Sequence, residues 1–127
     1  MAVVLIVEDE PQVLVLAESC LQEYGHRTLS ASTVAEASAI LEQDQEIEVL
    51  FTDLGLRDDT QAGLELAKQA VERRPSLKVL YTTGQAVTDG TKALFVAKSA
   101  MLAKPYTIDQ LLTSLSVIGV THPRRGN

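Results

Sequence analysis

The sequence predicts an α/β fold: a single doubly wound five-stranded parallel sheet with helices on both faces. Short, continuous apolar runs recur along the chain, as strands buried on both faces require. They alternate with longer stretches whose apolar residues return at helical spacing. The 127 residues suit one domain, and 46% apolar residues can build its core without disulfides or a structural metal.

Val3 to Val7 is apolar and β-branched and predicts the first strand. Pro11 then suits a helix first turn, where its missing N–H is no loss. Val13, Leu14, Leu16, Ala17, Cys20, Leu21 and Tyr24 give that helix its apolar positions, and Gly25 stops it. His26 to Ala31 reads as a weaker strand. Thr33 with Glu36 forms a capping-box pattern ahead of a helix bearing Val34, Ala37, Ile40 and Leu41. Glu48 to Thr52 is the third strand, ending at Asp53. A loop rich in acids and Gly runs to Gly63, followed by a helix over roughly Leu64 to Arg74 that Pro75 closes. Leu77 to Thr82 is the fourth strand. A looser stretch from Gly84 to Lys98 holds one short helix over Asp89 to Val96. Ala100 to Ala103 is the fifth strand. Thr107 and Gln110 form a second capping box, opening a helix with Ile108, Leu111, Leu112, Leu115 and Ile118 on one stripe. The domain is expected over residues 1–120, with a disordered tail at 121–127.

Seventeen acidic against eleven basic side chains leave a formal net charge of −6, which disfavours nucleic acid and anionic membranes as partners. Cys20 is the single cysteine, so no internal disulfide can form and a reducing compartment is expected. The apolar run at Ala2 to Val7 is too short for a signal peptide or membrane span and is closed at once by acids. A cytoplasmic protein is the resulting expectation.

Open parallel sheets place ligand sites beyond the carboxyl ends of their strands. Those ends carry Glu8-Asp9, Asp53, Thr82-Thr83-Gly84 and Lys104-Pro105. Three carboxylates on one edge repel each other by roughly 3 kcal/mol per pair at ~5 Å and an effective dielectric of ~20. Lys104 offsets part of that, and a hard divalent ion suits the rest, since Mg²⁺ takes carboxylate, water and phosphate oxygens. No Cys/His cluster suits zinc, because His26 and His122 lie away from the acidic edge. A carboxylate beside such an ion, with an ammonium and a hydroxyl nearby, is equipped for phosphoryl transfer, Asp serving as nucleophile.

Val7-Glu8-Asp9-Glu10, Thr52-Asp53-Leu54, Thr82-Thr83-Gly84 and Ala103-Lys104-Pro105-Tyr106 resemble, in order and spacing, the four signature blocks of response-regulator receiver domains. The similarity covers about residues 3 to 119. It implies the flavodoxin-like strand order 2-1-3-4-5 and Mg²⁺ as cofactor. It implies Asp9 as a direct metal ligand and Glu8 as one acting through water. Asp53 would be phosphoacceptor and ligand, and the Gly55 carbonyl a further ligand. Thr83 would hydrogen-bond the phosphoryl group and Lys104 would pair with it. The chain departs from the family pattern in three places. Residues 56–60 lack the usual Pro. Met101 stands where many members carry an aromatic that swings inward. Residues 97–100 replace the usual turn before the fifth strand. Gly55 and Gln85, two positions beyond Asp53 and Thr83, are small and uncharged respectively, and are expected to leave the site open to water.

The implied function is a switch that catalyses only its own phosphorylation and dephosphorylation. A histidine kinase or histidine phosphotransfer protein donates to Asp53, and the change biases a surface around the fourth helix, fifth strand and last helix. The chain stops after that helix, so a downstream protein target or a phosphorelay step is the expected output, unless it is a piece of a larger protein. The same face leaves a homodimer open. Two other classes compete: a never-phosphorylated scaffold of this fold, and an Asp-nucleophile phosphohydrolase. The second commonly needs another Asp where this chain has Gly55.

Overall fold

Five parallel strands alternate with five helices in the computed structural model, which describes residues 2–44, 46–56 and 61–121. In chain order they are β1 (Val3–Val7), α1 (Pro11–Glu23), β2 (Arg27–Ala31), α2 (Val34–Gln43) and β3 (Val49–Asp53). There follow α3 (Ala62–Arg73), β4 (Lys78–Thr83), α4 (Asp89–Lys92), β5 (Ser99–Ala103) and α5 (Ile108–Val117). The sheet order is β2-β1-β3-β4-β5, as expected. The chain winds outward from β1 to β2, then returns to place β3 on the other side of β1. That reversal opens a crevice at the carboxyl edge between β1 and β3.

Strand alternation divides the core in two. Val3, Leu5 and Val7 of β1 join Ala37 and Leu41 of α2 and Leu66, Ala67 and Ala70 of α3. Val4 and Ile6 join Ala17 and Leu21 of α1 and Leu111 and Leu115 of α5 on the opposite face. Every residue of β1 and β3 is buried, which is why both read as unbroken apolar runs. Among the described residues no helix is long and apolar enough to cross a membrane.

The punctuation signals act as expected at most element ends. Pro11 starts α1, and Gly25 follows it at φ 88°, a left-handed conformation that suits glycine. Thr107 and Gln110 complete both arms of the capping box on α5. On α2 only one arm forms as drawn: Thr33 Oγ1 accepts from the Glu36 N–H, while the Glu36 carboxylate accepts from the N–H and hydroxyl of Ser32. These bonds lower the Glu36 carboxyl, the Ser32 hydroxyl most of all.

Other boundaries differ for physical reasons. The third and fourth strands extend to Asp53 and Thr83, because sheet pairing continues there with Asp53 opposite Thr82 and Thr83 opposite Ala103. Leu16 is not a core position but 62% exposed, since α1 carries apolar residues on more than its sheet-facing side. Gly63 belongs to α3 instead of preceding it. The fourth helix is a single turn, capped by Thr88 through its Oγ1 and the Thr91 N–H, and buries none of its residues. Residues 57–60 and 122–127 lie outside the described residues, so the acidic loop and all of the expected tail beyond Thr121 do too. His26 is buried at the amino end of the sheet, where its Nδ1 accepts the Ala2 N–H.

Candidate functional site

The sheet's hydrogen-bond pattern continues one step beyond several strands and fixes the site residues in place. The Glu8 N–H donates to Ala31 O, Leu54 N–H to Thr82 O and Lys104 N–H to Thr83 O, at 3.0, 2.8 and 2.8 Å. Side chains just before or at these bonds therefore inherit the rigidity of the sheet. The Lys104–Pro105 peptide bond is cis.

Lys104 is the centre of the charge arrangement. Its Nζ donates to Asp53 Oδ2 at 2.8 Å and lies 2.6 Å from Glu8 Oε1. The remaining carboxylate oxygens are held by backbone: Gly55 N–H donates to Asp53 Oδ1 at 3.3 Å and Glu10 N–H to Glu8 Oε2 at 3.1 Å. Glu8 and Asp53 are only 3% and 8% exposed, so these partners compensate most of the hydration both lose. Burial pushes the Glu8 carboxyl above its ordinary range, and the Lys104 and Glu10 bonds pull it only part of the way back. Burial alone would lower the Lys104 ammonium, but its hydrogen bonds to Asp53 and Glu8 outweigh that and hold it above its ordinary value. Lys104 is therefore charged throughout the physiological range.

An open cleft of about 480 Å³ lies over this pair. Asp9, Asp53, Gly55, Thr83, Gln85 and Lys104 all contribute to its lining. The cleft thus gathers Asp9, Asp53, Gly55, Thr83 and Lys104, while Glu8 sits against Lys104 and Thr82, Pro105 and Met101 stay outside its lining. Thr83 Oγ1 accepts the Gln85 N–H at 3.1 Å, which steadies the hydroxyl while leaving its proton available. The carboxylates of Glu8, Asp9 and Glu10 offer oxygens within 4.8 Å of one another. With Asp53 and Gly55 lining the neighbouring cleft, the donors available are all hard oxygens, the set that suits Mg²⁺.

Gly63 is a site residue that sequence reasoning placed in a loop. A Cβ there would come within 1.9 Å of the Asp53 carbonyl oxygen and 2.9 Å of Leu54 Cα. The Gly63 N–H donates to Leu54 O at 2.9 Å, so α3 begins in direct contact with the backbone that presents Asp53. No local pattern signals this, because the constraint is a tertiary approach of two backbones.

Tyr81 and Met101 are opposite each other in the β4–β5 register. Tyr81 stacks on Phe95 with ring centroids 4.3 Å apart, and its hydroxyl accepts the Val96 N–H at 3.2 Å. The segment after α4 is thereby tied to the central strand that also carries Thr83. Tyr106 packs near Phe51, 6.1 Å between ring centroids, and burial followed by the nearby Glu8 charge pushes its phenol up to about 12. Cys20, one of the apolar positions of α1, is only partly buried.

Comparison with known proteins agrees with this geometry. The family model described as the response regulator receiver domain matches residues 4–116. The alginate biosynthesis transcriptional regulatory protein AlgB of Pseudomonas aeruginosa is 31% identical over 109 residues, covering 85% of this chain and 24% of AlgB. The photosynthetic apparatus regulatory protein RegA of Rhodobacter capsulatus is 28% identical over 120 residues, 94% of this chain and 64% of RegA. The chain therefore spans about a quarter of AlgB and under two thirds of RegA. Among solved structures, a response regulator receiver protein from Sinorhizobium medicae superimposes with a TM-score of 0.82 at 28% identity, covering 92% of this chain and 93% of that one.

Proposed function

Because the chain belongs to the response regulator receiver-domain family, we propose that it is a phosphorylation switch in which Asp53 accepts a phosphoryl group. The donor is the phosphohistidine of a histidine kinase or histidine phosphotransfer protein. One observation carries this reading: a single ammonium, Lys104, bridges a buried carboxylate pair, Asp53 and Glu8, at the base of an open cleft.

In the transfer, an oxygen of Asp53 forms a bond to phosphorus as the donor's N–P bond breaks and the imidazole leaves with its electron pair. Asp53 is suited to this because Lys104 and the Gly55 N–H hold its two oxygens at a fixed angle to the cleft. Lys104 then offsets charge on the incoming phosphoryl oxygens, and Thr83 donates its hydroxyl proton to one of them while still accepting from Gln85. Glu8, Asp9, Asp53 and the Gly55 carbonyl would hold Mg²⁺. When bound, that ion would neutralise the phosphoryl oxygens together with Lys104.

The phosphorylated state alters a surface through Thr83, which lies on the strand that also anchors the segment after α4. The face formed by α4, β5 and α5 is the place for a downstream protein contact or a homodimer. Purified protein incubated with acetyl phosphate and Mg²⁺ is expected to gain one phosphoryl group that alkali or hydroxylamine removes, as an acyl phosphate requires. Asp53→Asn should lose it entirely, and chelation of the metal should suppress it in the unaltered chain. Full labelling of Asp53→Asn would end this reading.

A further inference from the structure

Two contacts of matching spacing join the segment after β5 to the end of β3. Lys104 Nζ donates to Asp53 Oδ2 at 2.8 Å. Two residues further along, the Tyr106 ring packs against Phe51, itself two residues before Asp53. The ring centroids lie 6.1 Å apart and the planes are tilted by 56°, an arrangement aromatic pairs favour. Phe51 is 2% exposed and belongs to the core shared with α1 and α5, so this second contact rests on a fixed wall.

The segment has few other holds. Pairing of β5 with β4 ends at Ala103 opposite Thr83, and the Lys104 N–H adds one bond to Thr83 O at 2.8 Å. The capping box of α5 begins only at Thr107. Of the two residues between, Pro105 is exposed and has no N–H to donate, whereas Tyr106 is half-buried. A lysine ammonium sits on a flexible four-carbon stem, so its resting place depends on where the backbone starts it.

Tyr106 also closes the underside of the Lys104 bridge. With Glu8, Val13, Ala17, Phe51 and Thr82 it lines a space too narrow to admit a water molecule. Thr82 Oγ1 is sealed from solvent and has no hydrogen-bond partner among the described residues, so no polar link from Thr82 fastens this side. The ring does.

We propose that Tyr106 is a positioning residue for Lys104: seated on Phe51, its ring sets where the lysine starts and so where the ammonium meets a phosphoryl group on Asp53. The proposal rests on the phosphoacceptor reading above. Tyr106 acts through Lys104 and is not among the groups that would hold Mg²⁺.

Calorimetric titration with Mg²⁺, followed by beryllofluoride in saturating Mg²⁺, separates this role from a merely structural one. Beryllofluoride mimics the phosphoryl group that Lys104 would pair with. Tyr106→Leu keeps an apolar side chain over the narrow space and removes the ring. Its beryllofluoride affinity should fall about tenfold while its Mg²⁺ affinity stays within about threefold of the unaltered protein. Tyr106→Phe keeps the ring without the hydroxyl and should bind both within about threefold. Should Tyr106→Leu not fold, Tyr106→Met, which fills the same space flexibly, provides the contrast. Undiminished beryllofluoride affinity without the ring overturns the proposal. A parallel loss of both affinities overturns it too, since that marks a general loosening of the site. Equal weakening in Tyr106→Phe would assign the effect to the hydroxyl and overturn it as well. An unaltered protein that binds Mg²⁺ but no beryllofluoride would instead remove the phosphoacceptor reading on which the proposal stands.

Discussion

The two sides of the cleft are built to opposite specifications. On one side Glu8, Asp53 and Lys104 project from strand ends whose hydrogen bonds continue past the last strand residue. On the other, Gly84, Gln85 and Ala86 are exposed, and α4 is one turn with no buried residue. Local stability follows buried contacts, so the first side is expected to open only with the whole domain and the second to rearrange alone. A switch needs both properties: fixed charges where phosphorus is received and a cheap, separable response nearby. The comparison teaches that the division is made by the sheet. On the proposed function, Thr83, the last residue of β4, is where the rigid side would pass its signal to the soft one.

The rigid side breaks most completely at Gly63. Its helix starts against the Asp53 and Leu54 backbone, and neither neighbour is a flexible side-chain end that could yield. Gly63→Ala should cost about 3 kcal/mol or more and displace Asp53 from Lys104. Urea unfolding measures the first effect. Loss of acetyl phosphate labelling in the fraction that remains folded measures the second. A variant as stable as the unaltered protein would mean that α3 can slide away from β3 without consequence.

Lys104 is the next largest lever, and its removal carries a pH signature. Lys104→Met leaves Glu8 and Asp53 close together with no cation between them, and should destabilise the domain by about 2 kcal/mol at neutral pH. Glu8 already lies above its ordinary range because of burial, and losing the Lys104 bond raises it further. A carboxyl raised in the folded state binds protons more tightly there than in the unfolded chain. Stability therefore increases as pH falls through its folded value toward the unfolded one. The variant's deficit should shrink as pH falls from neutral toward the ordinary carboxylate range, as the raised carboxyl takes up its proton. A deficit independent of pH across that interval would show that Lys104 supports the fold by packing alone.

The same division governs what the sequence could disclose. The strands of the rigid side are legible because burial on both faces forces unbroken apolar runs, and each run is followed at once by the residue that reaches the cleft. Asp53, Thr83 and Lys104 follow from that rule, and all three line the cleft. Gly63 was placed in a loop, since the approach of two backbones leaves no periodic mark. Leu16 counts among the apolar positions of α1 yet lies at the surface, because apolar residues on more than one side of the helix blur the stripe that separates inside from outside. Around α4, the mixed residues between Gly84 and Lys98 gave a longer helix than the single turn that forms. Weak local signals and few buried contacts are there the same physical fact. Thr82 and Tyr81 read as ordinary strand formers, and only the packing distinguishes an unsatisfied hydroxyl from one that anchors a neighbouring segment.

The smallest expected effect falls on the soft side and sharpens the contrast. Tyr81 is fully buried, its ring stacked on Phe95 and its hydroxyl accepting the Val96 N–H. Tyr81→Phe preserves the ring and removes one hydrogen bond, a change of about 1 kcal/mol. If the segment after α4 opens independently of the sheet, that loss appears locally: amide exchange at Val96 should quicken roughly fivefold, while amides of β1 and β3 stay at their original rates. A uniform acceleration across the sheet would mean that α4 and the strands open as one unit, and the division drawn above would not hold. Unchanged exchange at Val96 would show that stacking on Phe95 and packing beside Met101 hold the segment without the hydroxyl. With Met101 in place of an aromatic, Tyr81 is the side chain that joins β4 to this segment through both a ring and a hydrogen bond. Its loss should therefore also weaken the response of α4 to beryllofluoride while leaving the affinity for that ligand nearly unaltered.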